Sequence, residues 1–336
     1  MKNIFLTGGS GFLGKYIIEE LVENGYNVFA LSRSNSSSKV MSQLGAQIKM
    51  TSLHDEEGLK EAIKGCDVVI HCAAKLETNS DSVEELYRDN CDATELLYKV
   101  SKQVGIKVFL FISSEGVIMN GEHINDASED TPYPPLEQLG WYNKSKAISE
   151  QYILNQSSTS NEKNTNRNSG GNNMKSIIVR LPLVWGPRDN VLDYLVGLCN
   201  KFQWFWIGGG KNYLSIVHAK NAALGIRLAF EKGDDSDIYH LTDGQPVQYR
   251  QFFTDRFLKK NVQSWKLYMS LPIPFAWFLV WFMAIVWKLF NLKGLPLLTK
   301  TGLIYSSKNF TILDYKARNK LGFKNKISYN QGMSEL

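Results

Sequence analysis

Residues 7–14 read Thr-Gly-Gly-Ser-Gly-Phe-Leu-Gly, and this stretch decides the fold. It lies between an apolar run, Asn3–Thr7, and a helical pattern over Phe12–Asn24. Its glycines satisfy both GxxGxxG and GxGxxG, which allow a tight turn and close approach of a pyrophosphate to the backbone at a helix N-terminus. In this strand–turn–helix context the pattern predicts a dinucleotide site. The residues that we expect to bind the dinucleotide are Gly8, Ser10, Gly11, Phe12, Leu13 and Gly14.

Strand and helix patterns alternate outward from this loop. Short apolar runs indicate parallel strands at Asn3–Thr7, Asn27–Leu31, Asp67–His71, Lys107–Ser113 and Ser176–Leu181. Helical periodicity indicates helices at Phe12–Asn24, Glu56–Lys64, Ser82–Val104 and Tyr142–Asn155. The alternation predicts an α/β fold, a doubly wound parallel Rossmann sheet with a smaller C-terminal substrate lobe. We place the Rossmann domain at 1–185 and the lobe, with interleaved Rossmann elements, at 186–336.

The composition excludes several classes of protein. The 336 residues are 43% hydrophobic and 21% charged, which excludes wholesale disorder. A net charge of +5, from 38 basic and 33 acidic residues scattered along the chain, gives no indication of nucleic-acid binding. The four cysteines lack metal-ligand spacing, so we expect no metal site. The N-terminus resembles a buried strand more than a signal peptide, so we expect a protein that is not secreted.

One segment interrupts the alternation. Residues 155–173 contain no apolar side chain in nineteen positions. Such a stretch cannot contribute to a core, so the sequence predicts a disordered low-complexity insertion. Because it follows a helix and precedes a strand, it should lie at the amino ends of the strands, away from the edge where ligands bind.

The end of the second strand bears on the choice of dinucleotide. Enzymes that use NAD usually have an acidic residue there to hold the ribose hydroxyls. Here Ser32 and Arg33 take that place, and a guanidinium binds a phosphate well. We therefore expect NADP, bound partly by Ser32 and Arg33, with NAD as the alternative.

Tyr142 and Lys146 are the candidate catalytic pair. Four residues apart, they lie on one face of a helix. A nearby ammonium is expected to lower the pKa of a phenol, which could then exchange a proton with a substrate hydroxyl or carbonyl. Ser113 and Ser114 end a predicted strand at the ligand-binding edge, where one of them could hydrogen-bond the reacting oxygen.

Residues 271–290 form an aromatic apolar stretch that is uncharged until Lys288. Seventeen uncharged residues lie at the lower limit for spanning a bilayer. Two prolines and three tryptophans favour a helix in the membrane interface, with Lys288, Lys293 and Lys300 near anionic headgroups. The alternatives are a helix buried in the core and an apolar lid over an apolar pocket.

Further motifs give the chain a family resemblance. Asp67–Ala74 resembles the fourth-strand signature of extended short-chain dehydrogenases/reductases, and Asn90 with Thr94 resembles their N-x3-T motif. Arg180–Pro187 is similar to the segment that touches the nicotinamide. By this resemblance, the cofactor would also contact Ala73, Ala74, Tyr142, Lys146, Pro182 and Val184.

Within that superfamily the chain most resembles the 3β-hydroxysteroid dehydrogenase family. Residues 216–223, 239–247 and 314–323 are similar to its V-H-V-x-N-A-A, Y-x-I-x-D-G-x-P-V and closing K-A-x-x-x-L-G-Y motifs. The resemblance implies a catalytic triad in which Tyr142 exchanges the proton, Lys146 holds the nicotinamide ribose and Ser114 orients the substrate. It also implies membrane association and, by analogy with the superfamily, a homodimer.

These observations predict an NAD(P)-dependent oxidoreductase that acts on a lipophilic alcohol or ketone, with a 3β-hydroxysteroid or sterol as the favoured substrate. We expect it at the cytoplasmic side of an intracellular membrane, the endoplasmic reticulum in a eukaryote. Two alternatives stay within enzymes: a reductase of another lipophilic ketone and a nucleotide-sugar epimerase or dehydratase. A third is an NADP-binding sensor without turnover, although such relatives usually lose the tyrosine or the lysine.

Overall fold

A computed structural model of the chain describes residues 2–80, 82–163, 174–290, 292, 296 and 298–336. Its strands are β1 (Asn3–Thr7), β2 (Asn27–Ser32), β3 (Gln47–Met50), β4 (Val68–His71), β5 (Val108–Ser114), β6 (Ile124–Ala127), β7 (Lys175–Leu181), β8 (Leu183–Trp185), β9 (Trp206–Ile207), β10 (Tyr213–Leu214), β11 (Ile216–His218), β12 (Asp237–His240), β13 (Val247–Gln248), β14 (Ser270–Leu271) and β15 (Phe310–Ile312).

Its helices are α1 (Phe12–Glu23), α2 (Asn35–Gln43), α3 (Glu56–Ile63), α4 (Val83–Tyr87), α5 (Ala93–Val104), α6 (Trp141–Lys163), α7 (Asn190–Asn200), α8 (Ala219–Lys232), α9 (Tyr249–Lys259), α10 (Ile273–Leu289), α11 (Lys300–Ser307) and α12 (Tyr329–Ser334). A π-helical turn, Arg88–Asp92, joins α4 to α5.

Seven parallel strands form the central sheet in the order β12-β7-β5-β4-β1-β2-β3. Side chains alternate between its two faces because the period of a strand is two residues. Ile4 and Leu6 pack on one face with residues of α1 and α8, whereas Phe5 packs on the other with residues of α3, α5 and α6. Helices therefore cover both faces, and the doubly wound parallel sheet expected from the sequence is confirmed.

The second lobe has an aromatic core of its own. Trp185, Trp206, Phe252 and Phe257 are almost completely buried in it, among residues of α7, α9 and α12. A four-stranded sheet, β13-β10-β15-β6, joins β6 to three strands of the second half of the chain, and two-stranded sheets pair β11 with β8 and β14 with β9. Trp206 is thus a core residue.

The first half of the chain differs from the sequence predictions in several places. The helical pattern over 82–104 is interrupted by the π-helical turn, and α2 and β3 were not predicted. Residues 155–163 are helical and continue α6, so the prediction of a disordered insertion is wrong for that part. Adding a residue to an existing helix costs far less than starting one, which lets the helix extend beyond its apolar face. Residues 164–173 lie outside the described part of the chain.

Helix α10 occupies the aromatic stretch and turns apolar side chains outward. Phe278 is 52% exposed and Trp281 60%, and Ala276 alone among the residues of α10 is buried. The alternative of a buried helix is therefore wrong. Within the described residues, no helix combines the length and the apolar character that crossing a bilayer requires.

Candidate active site

The glycine loop between β1 and α1 is built as its motif requires. Gly8 has φ +74°, a conformation that disfavours other residues, and a Cβ there would lie 2.6 Å from the backbone nitrogen of Ala73. A Cβ on Gly14 would lie 2.1 Å from the carbonyl oxygen of Gly8. Because Gly8 and Gly14 have no side chains, the loop and the first turn of α1 can pack closely together. The backbone of the loop is then exposed to the adjoining cavity.

A cavity of about 630 Å³ opens beside this loop at the carboxyl ends of the strands. It is lined by six predicted cofactor residues: Gly8, Ser10, Ser32, Arg33, Ala73 and Ala74. The size, the backbone cradle and the position at the sheet edge fit the adenine-ribose-pyrophosphate part of a dinucleotide. Of the remaining predicted residues, Gly11, Phe12, Leu13 and Gly14 form the turn and the start of α1, and Pro182 and Val184 follow β7.

The far end of this cavity is rich in hydroxyl groups. Ser32 Oγ lies 2.6 Å from Ser37 Oγ, and Ser34 caps α2 by accepting a hydrogen bond from the Ser37 amide. Arg33 is exposed and lines the cavity beside the N-terminus of α2, where the helix dipole favours an anion.

Sequence reasoning missed several residues of this cavity. His54, Lys75, Asn79 and Asp89 line it, and Asp89 accepts a hydrogen bond from His54 at 3.0 Å and lies 3.4 Å from the Lys75 ammonium. They lie on the segments that follow β3 and β4 and on the π-helical turn. Nothing in their local sequence separates them from ordinary surface residues, so only the folded arrangement reveals them.

Helix α6, which carries the candidate catalytic pair, begins at Trp141, directly before Tyr142. The Tyr142 backbone N–H donates to Glu77 Oε1 at 2.8 Å, which satisfies one of the free amides of this helix end. One turn on, Ser145 Oγ donates to the Tyr142 carbonyl at 2.7 Å and accepts from Asn90 Nδ2 at 2.9 Å. Glu77 and Asn90 therefore fix the register of the helix that carries Tyr142 and Lys146.

The protonation of the pair differs from the sequence expectation. Burial raises the pKa of Tyr142 to about 12, and the neighbouring Cys72 thiol adds to the rise. Burial also lowers the pKa of Lys146 to about 8, and its Nζ lies 3.9 Å from the ring centre of Phe111. The pKa of Tyr142 is thus shifted upward in this structure, opposite to the lowering expected from Lys146, because burial of the phenol is the largest cause.

Ser114 ends β5 and begins the turn that faces α6. Its Oγ accepts a hydrogen bond from the Gly116 amide at 3.1 Å. The side chain of Asn143 packs on Gly116 so closely that a Cβ at Gly116 would lie 2.2 Å from the Asn143 amide oxygen. Ser113, the other candidate, is buried, and its Oγ has no hydrogen-bond partner among the described residues. Ser114 is thus the strand-end serine that lies beside α6.

A second cavity, of about 340 Å³, lies in the C-terminal lobe. Its walls come from α7, α10, α11 and the segment 203–207, and they are mostly apolar: Leu195, Leu198, Trp204, Phe205, Ile207, Leu271, Leu279, Met283 and Leu298. Gly302 and Ser306 of α11 also line it. Tyr305, between them in the chain, lies near enough to Ser114 and Tyr142 for these candidate catalytic residues to affect its pKa.

Comparison with known proteins agrees with this architecture. Residues 5–272 match the model of the 3-beta hydroxysteroid dehydrogenase/isomerase family. The chain is 74% identical, over the full length of both proteins, to the decarboxylating sterol-4-alpha-carboxylate 3-dehydrogenase of Dictyostelium discoideum. It is 29% identical to a 4-hydroxy-2-methyl-3-oxo-4-farnesyl-3,4-dihydroquinoline-1-oxide ketoreductase of Stigmatella aurantiaca, over 99% of this chain and 95% of that protein.

Among solved structures, the crystal structure of gox2253 superimposes with a TM-score of 0.78 and 22% identity, over 100% of this chain and 96% of that one. This likeness shows the fold. The family match covers most of the chain and includes the glycine loop, the Tyr–Lys pair and the strand-end serine. The chain therefore belongs to the 3-beta hydroxysteroid dehydrogenase/isomerase family and is an NAD(P)-dependent oxidoreductase that acts on a CH–OH group.

Proposed function

We propose that this protein oxidises the 3β-hydroxyl of a sterol that carries a carboxylate on the adjacent carbon, and that carbon dioxide is then lost. The observation that carries the proposal is the mostly apolar cavity of about 340 Å³ in the C-terminal lobe. Such a cavity suits the hydrocarbon body of a sterol better than a sugar nucleotide. The name of the 74% identical relative supports the same substrate class.

The cofactor that we propose is NADP. The pyrophosphate would lie on the glycine loop with Gly8 and Ser10, and the 2′-phosphate would lie between Arg33 and the N-terminus of α2. Lys146 would hold the nicotinamide ribose, and Ala73, Ala74, Pro182 and Val184 would border the cofactor. When bound, the nicotinamide supplies the hydride acceptor.

The protein's own part is proton transfer and positioning. Tyr142 would take the proton of the substrate hydroxyl as the C3–H bond breaks, and Ser114 would keep the oxygen in place. Oxidation gives a β-keto acid, whose carbon–carbon bond breaks so that its electron pair forms an enolate and carbon dioxide leaves. The proton held by Tyr142 would then return to the enolate. The first step needs the ionised phenol, which the raised pKa of Tyr142 disfavours, whereas the return of the proton to the enolate needs the protonated form.

We further propose that α10 rests on a lipid surface. Leu279 and Met283 line the apolar cavity, whereas Phe278, Trp281 and Ile285 on the outer side of the helix are exposed. Aromatic side chains and the following Lys288 suit the membrane interface. The corresponding location is the cytoplasmic side of the endoplasmic reticulum of a eukaryotic cell. A homodimer stays a prediction that sedimentation equilibrium tests.

The deciding experiment uses the purified, detergent-solubilised protein with NADP or NAD. The substrates are a 3β-hydroxysterol 4α-carboxylate, the same sterol without the carboxylate, and a UDP-sugar. We expect reduced cofactor and carbon dioxide in equal amounts from the first substrate. Turnover of the UDP-sugar, or equal turnover of the two sterols, would contradict the proposed substrate.

The variant Tyr142→Phe tests the mechanism in the same assay. It removes only the hydroxyl, and we expect at least a hundred-fold lower kcat with unchanged cofactor binding. Tyr315→Phe is the matched control, because Tyr315 is 65% exposed and lies outside the site. Retained turnover in Tyr142→Phe would show that another group moves the proton.

A further inference from the structure

Helix α6 begins without a side-chain cap of its own. The carbonyl oxygen of Gly140 accepts the first hydrogen bond of the helix, from the Lys144 amide at 2.8 Å, so Gly140 occupies the N-cap position. A glycine has no side chain that could accept from the free amides of the first turn. One of these amides belongs to Tyr142, the residue that we expect to exchange the proton. The start of α6 therefore needs an acceptor from elsewhere in the chain.

Glu77 supplies this acceptor. Its Oε1 accepts a hydrogen bond from the Tyr142 amide at 2.8 Å, across 65 residues of sequence. The missing side chain of Gly140 makes room for the carboxylate, because a Cβ there would lie 2.9 Å from Glu77 Oε1 and 2.6 Å from Thr301 Oγ1. A carboxylate at a helix N-terminus also interacts favourably with the helix dipole. Glu77 thus takes the place of an N-cap side chain.

Glu77 belongs to a segment that borders the cofactor cavity. Residues 75–80, which we call the strap, follow β4 and include a short 3-10 turn. Lys75 and Asn79, on either side of Glu77 in the chain, line the cavity of about 630 Å³. Asn90 fixes the start of the strap, because its Nδ2 donates to the Lys75 carbonyl at 2.9 Å and its Oδ1 accepts from the Lys75 amide at 2.7 Å. The strap is therefore anchored at one end, borders the cavity and contacts α6 through Glu77.

We propose that Glu77 is a positioning residue for the reaction, which couples the position of Tyr142 to the occupancy of the cofactor cavity. A dinucleotide in the cavity restricts the strap at Lys75 and Asn79, and hence the carboxylate between them. The Tyr142 amide is then held more firmly, and the phenol of the same residue keeps a narrower range of positions. Glu77 contacts no reacting atom and acts through the backbone of α6. The inference rests on the dinucleotide site and not on the identity of the alcohol.

Hydrogen exchange of the Tyr142 amide tests the inference directly, because this amide is the donor to Glu77. Hydrogen–deuterium exchange with mass spectrometry compares the wild type, Glu77→Ala and Glu77→Gln, each with and without NADP, or NAD if the wild type binds it more tightly. We expect the cofactor to slow exchange of this amide in the wild type. Glu77→Ala should exchange it roughly ten-fold faster and lose the effect of the cofactor, whereas Glu77→Gln keeps an acceptor oxygen and should resemble the wild type. Glu61→Ala, at a side chain that is 80% exposed, is the control.

Turnover separates positioning from stability. With a 3β-hydroxysterol that the wild type oxidises, we expect kcat of Glu77→Ala to fall about ten-fold, while the KM for the sterol changes less. Glu77→Gln should restore most of this kcat, because its amide oxygen can accept from the Tyr142 amide. Amide exchange in the second half of α6 should be the same in all three proteins, which shows that the fold is intact.

Gly140→Ser is the second variant and decides the question if Glu77→Ala does not fold. A Cβ at residue 140 displaces the Glu77 carboxylate, and the new hydroxyl can cap α6 by itself. The Tyr142 amide should then stay protected, but the cofactor should no longer slow its exchange, and kcat should fall. Equal exchange of this amide in the wild type and Glu77→Ala would overturn the proposal, and so would an undiminished effect of the cofactor in Gly140→Ser. Neither result depends on which sterol the enzyme prefers, which is the test of the proposed function.

Discussion

Thr7 Oγ1 and His71 Nδ1 lie 2.7 Å apart at the ends of the adjacent strands β1 and β4. The Ala73 amide donates to the same Thr7 oxygen at 3.1 Å, and His71 Nε2 lies 2.9 Å from Thr94 Oγ1, which donates to the Asn90 carbonyl at 2.5 Å. Burial lowers the pKa of His71 to about 3, so the ring is neutral and has one N–H. Its proton is therefore on Nε2, and Nδ1 accepts from Thr7.

This chain of hydrogen bonds joins the glycine loop to helix α6, which carries the candidate catalytic pair. It runs from Ala73, beside Gly8, through Thr7, His71 and Thr94 to Asn90, whose amide holds Ser145 of α6 at 2.9 Å. All its side chains are buried, so each lost bond leaves an unpaired polar group. The geometry of the cofactor cavity and that of the Tyr–Lys pair are thus fixed together.

Replacing His71 by Phe should weaken both stability and cofactor binding. The new ring keeps the contacts with Phe109 and Phe111 but leaves the Thr7 and Thr94 hydroxyls without the imidazole. We expect the free energy of unfolding to fall by about 1–3 kcal/mol and the Kd for cofactor to rise several-fold. Urea denaturation and fluorescence titration measure the two effects. The control is His123→Phe at an exposed position, and equal effects of the two variants would contradict the coupling.

Three buried histidines should make the fold sensitive to mild acid. Burial lowers the pKa of His71 to about 3, of His218 to about 4 and of His240 to about 3, against an ordinary value of 6.5. Below pH 6.5 the three histidines bind protons in the unfolded chain but stay neutral in the folded chain. The free energy of unfolding therefore falls as the pH falls towards these values. Each histidine contributes a slope of about 1.4 kcal/mol per pH unit inside this window.

Urea unfolding at pH 7, 6 and 5 measures this dependence. Because His71→Phe lacks one of the three groups, its stability should decline less steeply than that of the wild type. The difference between the two proteins should therefore shrink between pH 7 and pH 5. If the free energies of unfolding of the two proteins fall in parallel with pH, His71 is protonated in the folded protein.

The sequence predicts the Rossmann half of the molecule well, because its signals are local. The glycine loop, the alternating strands and the Tyr142–Lys146 spacing each lie within a few residues, and the strand Asn3–Thr7 has the predicted bounds. The prediction for 155–163 failed because helix extension depends on the turns already formed and not on apolar content.

The rest of the site depends on contacts between distant parts of the chain. Glu77 accepts a hydrogen bond from the amide of Tyr142, 65 residues away, and Tyr305 of the other lobe lies near Ser114. The raised pKa of Tyr142 likewise follows from burial that only the folded chain creates. No local pattern marks Glu77 or Tyr305, so the structure is needed to find them.

Arg33→Ala should convert a preference for NADP into indifference between the two cofactors. Arg33 lines the cavity at the end of β2, and loss of a charged hydrogen bond to phosphate costs about 1.5–3 kcal/mol. We expect kcat/KM for NADP to fall ten- to a hundred-fold and that for NAD to change less than three-fold. Steady-state kinetics with both cofactors measure this, and Arg88→Ala is the control because Arg88 is exposed and outside the cavity. Equal losses with NADP and NAD would assign Arg33 to the adenine or to folding.

Acidic substitutions on the outer side of α10 should release the protein from lipid while leaving its fold intact. Phe278 and Trp281 are 52% and 60% exposed, so replacing both by Asp disturbs little packing. Each aromatic side chain contributes about 1.5–3 kcal/mol when buried in the interface, and the double variant should bind vesicles at least a hundred-fold more weakly. Flotation with vesicles of phosphatidylcholine and phosphatidylserine measures the loss.

The control for α10 is Trp265→Asp, which introduces one negative charge, against two in the α10 variant, at a tryptophan that is 54% exposed and lies outside the helix. Turnover of substrate dissolved in detergent should be similar in all three proteins, because Phe278 and Trp281 do not line the apolar cavity. If the substrate is supplied in vesicles, the α10 variant alone should slow down. If the α10 variant still floats with the vesicles as the wild type does, the exposed aromatic side chains have no membrane role. If Trp265→Asp loses vesicle binding to the same extent, the cause is net charge and not α10.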